Sequence, residues 1–164
     1  MVLQTTINRV NTFGIEGDLA NAQVPHYTPT TPRVADSDAI KAGAFAWVAD
    51  TNGAAVASST GAGKPTGIVK RTNDNTLGIA EGATLEYKAG HKVDVIVWGD
   101  VFVRTTDSAA VGKKLFVNNT TGAITCGTAG ASVSGATETD WVVVSLANNA
   151  ADASGSVVLV SNVK

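Results

Sequence analysis

Between Lys92 and Thr105, KVDVIVWGDVFVRT, apolar residues recur with a two-residue period. One row reads Val93, Val95, Val97, Gly99, Val101, Val103, Thr105, and the other Asp94, Ile96, Trp98, Asp100, Phe102, Arg104. The period predicts a central strand whose first row builds the interior. The second row is mixed, so Ile96, Trp98 and Phe102 need cover from a further layer of the chain, from its N-terminal segment, or from another subunit. In the subunit reading the aromatic groups supply large buried area at the centre of an interface. Gly99, in mid-strand, predicts a bulge or a sharp corner.

The rest of the pattern is short apolar runs divided by turn chemistry. Ala44–Ala49 and Ala54–Ala57 read as a hairpin, because Asn52-Gly53 supplies the positive φ angles of a tight turn. Strands are expected at Ile68–Thr72, Thr76–Ala80, Leu85–Tyr87, Lys114–Asn118, Ala123–Gly127, Trp141–Ala147 and Val157–Val163, with Ala123–Gly127 pairing with Lys114–Asn118 across the turn Asn119–Gly122. Leu85–Tyr87 is expected to pair with the central strand through Lys88-Ala89-Gly90. Residues Thr128–Thr139, nearly all Gly, Ala, Ser and Thr, read as a loop or a weak strand. No segment carries a sustained 3.6-residue period, so the expected fold is all-β, a small antiparallel barrel or sandwich.

Residues 1–42 differ. They hold Pro25, Pro29 and Pro32 and no sustained period, which favours extended chain. Isolated apolar groups, Phe13, Ile15, Leu19, Val24 and Tyr27, make this an arm ordered against a surface rather than a charged, disordered leader. The expected division is an arm of residues 1–42 and a β domain of residues 43–164.

Composition narrows the chemistry. The chain has 164 residues, long enough to bury about 68–70% of its unfolded surface. Aromatics make up only 5%, so Trp47, Trp98 and Trp141, all in expected strands, read as packing anchors. A net charge of −2 with scattered cations gives no footprint for nucleic acid. The opening MVLQTTINRV lacks the apolar run of a secretory leader, and no run of about 18 apolar residues occurs, so no membrane association is expected. The single cysteine, Cys126, suits a reducing site of synthesis and reads as a half-buried strand thiol.

Catalytic patterns fail one by one. Gly61-Ala62-Gly63-Lys64-Pro65-Thr66 is loosely like a phosphate loop, but the first required glycine is Ser58, Pro65 follows the lysine, and a strand follows instead of a helix. His26, His91 and Cys126 lie far apart in sequence, so no metal site is expected. Asp94 and Asp100 share a face at about 20 Å, beyond the about 5–9.5 Å of a glycosidase pair. No serine-nucleophile motif is present. Neither an enzyme, a cofactor nor a small-molecule substrate is expected.

The order of parts resembles the head decoration, or structural cement, proteins of tailed bacteriophages. An arm with FGIEGDLANAQ precedes AGAFAWVADTNG and the block YKAGHKVDVIVWGDVFVRTTDSAAVGKKLFVNNTTGAITC. The matching positions are Tyr87, Gly90, Val93, Val95, Gly99, Val101, Val103, Gly112, Phe116, Val117, Thr121 and Gly122. The resemblance implies a β-tulip-like protein on the outer surface of a phage head, assembled in the host bacterial cytoplasm. It implies a homotrimer that bridges major capsid protein subunits and binds them through the arm. The capsid-binding residues would be Phe13, Ile15, Leu19, Val24 and Tyr27, and the subunit interface Ile96, Trp98 and Phe102. The alternative is a tail- or fibre-associated carbohydrate-binding sandwich with Trp47 or Trp98 as its sugar platform.

Overall fold

The structure, a computed structural model, describes residues 14–20, 24–72, 85–147 and 155–162. Among these the chain is all-β. The strands are β1 (His26–Tyr27), β2 (Arg33–Val34), β3 (Ala39–Lys41), β4 (Phe45–Thr51), β5 (Ala54–Ser58), β6 (Gly67–Val69) and β7 (Glu86–Lys88). The second half contributes β8 (Val95–Trp98), β9 (Asp100–Arg104), β10 (Lys114–Asn118), β11 (Ile124–Gly127), β12 (Ala136–Leu146) and β13 (Val157–Ser161). The expected strand at Thr76–Ala80 lies outside the described residues.

Three sheets result: β1-β8-β6-β4-β5-β2, β11-β10-β12-β13-β9, and the pair β3-β7. None is a closed barrel; the architecture is a sandwich. The six-stranded sheet is the middle layer. Phe45, Ile68 and Ile96 leave one face to meet Val101, Val103, Leu115, Val117, Trp141, Val143, Val158 and Val160 of the five-stranded sheet. Ala46, Val69 and Val95, their chain neighbours, leave the other face and pack with Val34, Ile40, Tyr87 and Val93 in a second core. A strand in a middle layer is apolar on both sides because both sides are covered.

The central stretch is therefore two strands in two sheets. Gly99, at φ 137°, separates β8 from β9, and Asn162 ties the corner by donating its main-chain N–H to the Gly99 carbonyl at 3.2 Å and its side-chain amide to the Val97 carbonyl at 2.9 Å. The corner reverses the alternation: Val93 and Val95 belong to the second core, while Val101 and Val103 share the first with Ile96. The expectation of one continuous valine row inside a barrel is corrected accordingly, since adding one residue to an extended strand moves its side chains to the opposite face.

Pairing of β7 is a second correction. It joins β3, with Ile40 opposite Tyr87, and not the central strand. Beyond the Lys88–Gly90 turn the chain lies along β2: Val34 donates to the His91 carbonyl and Val93 to that of Pro32. Tyr87, Val34, Ile40 and Val93 all need the second core, and this route buries all four.

The hairpin at Asn52-Gly53 forms as expected, with Thr51 opposite Ala54 and both turn residues at positive φ. β10 and β11 also pair as expected. The weak run Thr128–Thr139 divides: residues from Ala136 onward enter β12, where Asn118 pairs Ala136. Strands β1, β2 and β3 fall within the expected arm. β1, β2 and β3 are each paired into sheets, and Val34 and Ile40 are core residues.

Candidate interaction surface

The N-terminal segment runs antiparallel along both halves of the broken central strand. Gly17 donates to the Phe102 carbonyl at 2.8 Å, Phe102 donates back to Asp18 at 3.0 Å, and Ala20 donates to Asp100 at 3.1 Å. Residues 17–20 thereby cap the free edge of β9, which closes a row of main-chain groups that a bare edge would expose. Further on, His26 pairs Trp98 and Tyr27 pairs Ile96. Pro25 packs at the corner against Gly99.

Two ion pairs fix this segment. Glu16 meets the Arg104 Nε, and both oxygens of Asp18 accept from Arg71 Nη1 at 3.1 Å. All four side chains are partly exposed, so each pair contributes at most about 1 kcal/mol. Packing adds more contact: Gly14, at φ 100°, lies so close to the Phe102 ring that a Cβ there would sit 2.2 Å from Cδ2. The His26 and Trp98 rings are in contact, tilted by 35° with centroids 4.9 Å apart, and Lys70 Nζ lies 5.3 Å from the centre of the Tyr27 ring, within cation–π range.

The residues expected in an arm interface separate into groups. Ile15, Val24 and Tyr27 are exposed, Val24 by 78%. Leu19 instead packs on the first core and bridges Val101. Phe13 lies outside the described residues. Of the residues expected between subunits, Ile96 is wholly enclosed by its own chain and Phe102 is nearly so, clustered with Ala147, Val157 and Ala20. Trp98 alone of the three keeps partial exposure.

Beside the segment, a cleft of about 560 Å³ opens between the layers, lined by Glu16, Lys41, Ser59, Leu85, Arg104 and Thr121 among others. Of its charged members, Glu16 and Arg104 are committed to each other, and Lys41 is exposed. Trp47, the other expected sugar platform, packs on Gly61 and donates its Nε1–H to the Gly63 carbonyl at 3.1 Å. The glycines of the phosphate-loop-like segment thus seat an indole. Cys126 is half-buried, and burial, followed by the nearby Asp107 charge, pushes its thiol up to about 12. Such a thiol stays protonated and unreactive near neutrality. No three His, Cys, Asp or Glu side chains among the described residues gather as a metal site.

Sequence reasoning missed both ion pairs. Glu16 and Asp18 stand out as carboxylates in a sparsely charged segment, yet Arg71 and Arg104 are 53 and 88 residues away, and nothing local in the sequence links them.

No curated protein matches the chain. Among solved structures, a chain from "The capsid of Myoviridae Phage XM1" aligns with a TM-score of 0.59 at 21% identity, covering 99% of this chain and 98% of that one. At that identity the likeness establishes a shared fold. The sequence profile of the XM1 gp53 minor capsid protein matches residues 3–162, nearly the whole length, and the chain belongs to that family of phage capsid-associated proteins.

Proposed function

We propose that this structural capsid protein decorates and cements the phage head: it sits on the outer surface, bridges neighbouring major capsid protein subunits and performs no catalysis. The observation that carries the reading is the N-terminal segment. It is held to the body by main-chain bonds and two ion pairs, yet presents Ile15, Val24 and Tyr27 outward. An apolar ridge on a fixed support loses little conformational freedom on docking. Family membership supports the capsid as the surface it meets.

The partner protein is the major capsid protein, and the assembly is a homotrimer. Three linked ridges multiply weak contacts through effective concentration. Trp98, partly exposed beneath His26, is the contact left of the three residues first expected between subunits. The test is addition of purified protein to heads that lack it. Val24→Asp combined with Tyr27→Ala lowers occupancy at least tenfold while the melting temperature stays within a degree or two. Unchanged occupancy overturns the role of the ridge, and a strict monomer both in solution and on heads overturns the trimer.

A further inference from the structure

One part of the surface places like charges where the fold is better served without them. Arg33 of β2 and Lys92 are direct antiparallel partners across an isolated bridge, and both are exposed. Like charges directly opposite on neighbouring strands repel and destabilise the pairing. Their chain neighbours Val34 and Val93 turn into the second core, so Arg33 and Lys92 project together on the opposite side. Val56 is the next partner of Arg33 along the same row.

The hairpin between β7 and this edge brings His91 and Lys88 alongside. Gly90 donates to the Val34 carbonyl, and His91 is exposed with Nδ1 3.0 Å from the Lys88 carbonyl. Lys88 is exposed as well. The carboxylates nearest in sequence, Asp36 and Asp94, form no ion pair with Arg33 or Lys92, whereas Lys64 pairs with Asp140, Arg71 with Asp18 and Arg104 with Glu16. The whole chain is net acidic, with 12 Lys and Arg against 14 Asp and Glu, so this cluster runs against the overall sign.

Protection of a sheet edge does not explain it. Charged residues on an edge keep other strands away, but the edge of β2 is already occupied by main-chain bonds from Val34, Gly90 and Val93. We infer that Arg33 and Lys92, beside His91, form a docking patch for a carboxylate-rich protein surface, and that on the virion this surface belongs to the capsid shell. The second half of that statement rests on the proposed function; the first does not. Opposed charges steer encounter and fix orientation more than they add affinity, which complements an apolar ridge elsewhere on the molecule. A small cluster without a track of cations or a row of stacking aromatics is a poor match for a nucleic-acid backbone.

The test uses the full chain and a hexaglutamate peptide, followed by amide NMR shifts. Titration shifts Arg33, His91 and Lys92 selectively, and 0.5 M NaCl abolishes the shifts. Lys92→Glu raises the melting temperature, because an opposite charge now faces Arg33, while peptide affinity falls at least tenfold. Arg33→Gln with Lys92→Gln, which introduces no new charge, gives the same loss of binding. Shifts spread equally over Lys64 and Lys113, or no shifts, overturn the patch. A short DNA duplex that shifts the same amides at lower concentration overturns the choice of partner. On heads, the glutamine double variant lowers occupancy and flattens its salt dependence. If the unaltered protein fails to bind heads, the capsid reading fails while the peptide titration still decides the patch.

Discussion

Ile96 and Val101 are five residues apart in an almost continuous extended stretch, yet both side chains enter the same core. An odd separation should send them to opposite faces. Gly99 resolves this by taking φ 137° between them, so that β8 serves the middle layer and β9 the outer one.

Gly99→Ala therefore tests the corner. A Cβ there meets nothing closer than Pro25 Cβ at 3.4 Å, so the cost is mainly conformational, about 1–3 kcal/mol. Urea denaturation measures it; a neutral substitution contradicts the strain.

Ile96 distinguishes core from interface. Because it is wholly buried within the chain, Ile96→Ala costs about 2–5 kcal/mol of stability, and that loss is independent of protein concentration. Trp98→Ala gives a smaller loss in the same assay and, under the trimer proposal, weakens assembly. A concentration-dependent loss at Ile96 contradicts its placement.

These two residues show what the sequence carried. The apolar positions of the central stretch, the Asn52-Gly53 hairpin and the β10–β11 pairing were legible because each is set by local alternation or turn chemistry. The partner of β7 was not. Its partner Ala39–Lys41 lies 47 positions away, measured from Ile40 to Tyr87, at the end of the N-terminal stretch that carries no strand period. The double-sided apolarity of β8 was visible, but a hidden face in a third layer and an exposed face awaiting a subunit have the same sequence signature. At the candidate surface, the exposure of Val24 and Tyr27 depends on where β1 docks, while Leu19, similar in sequence terms, turns into the core. The opposition of Arg33 and Lys92 arises only from a pairing between residues 59 positions apart.

The N-terminal segment is pinned by shape as well as charge. Gly14→Val drives a branched side chain into the Phe102 ring and forbids φ 100°, so it releases the segment. Limited proteolysis then cuts between residues 14 and 20 at least tenfold faster. Arg104→Ala, which removes one partly exposed ion pair, costs less than about 1 kcal/mol and accelerates cleavage only slightly. Equal protection in the Gly14 variant contradicts the packing.

Cys126 gives a pH prediction. Its folded value of about 12 lies above the ordinary 9.0, so folding favours the neutral thiol. The associated stability is fully present below pH 9 and is lost progressively as pH rises from 9 toward 12. Cys126→Ser removes that alkaline loss, and alkylation of the native protein at pH 8 is slow until denaturant is added. Rapid native labelling contradicts the burial.

Attachment to the head is read most directly from a cryo-electron microscopy map of the virion at a resolution that traces this chain. The expected map shows the sandwich on the outer surface of the head in threefold groups, with Ile15, Val24 and Tyr27 against major capsid protein subunits and the edge formed by Arg33 and Lys92 facing shell carboxylates. A map that places the chain away from the head, or on the head with that N-terminal ridge turned to solvent, contradicts it.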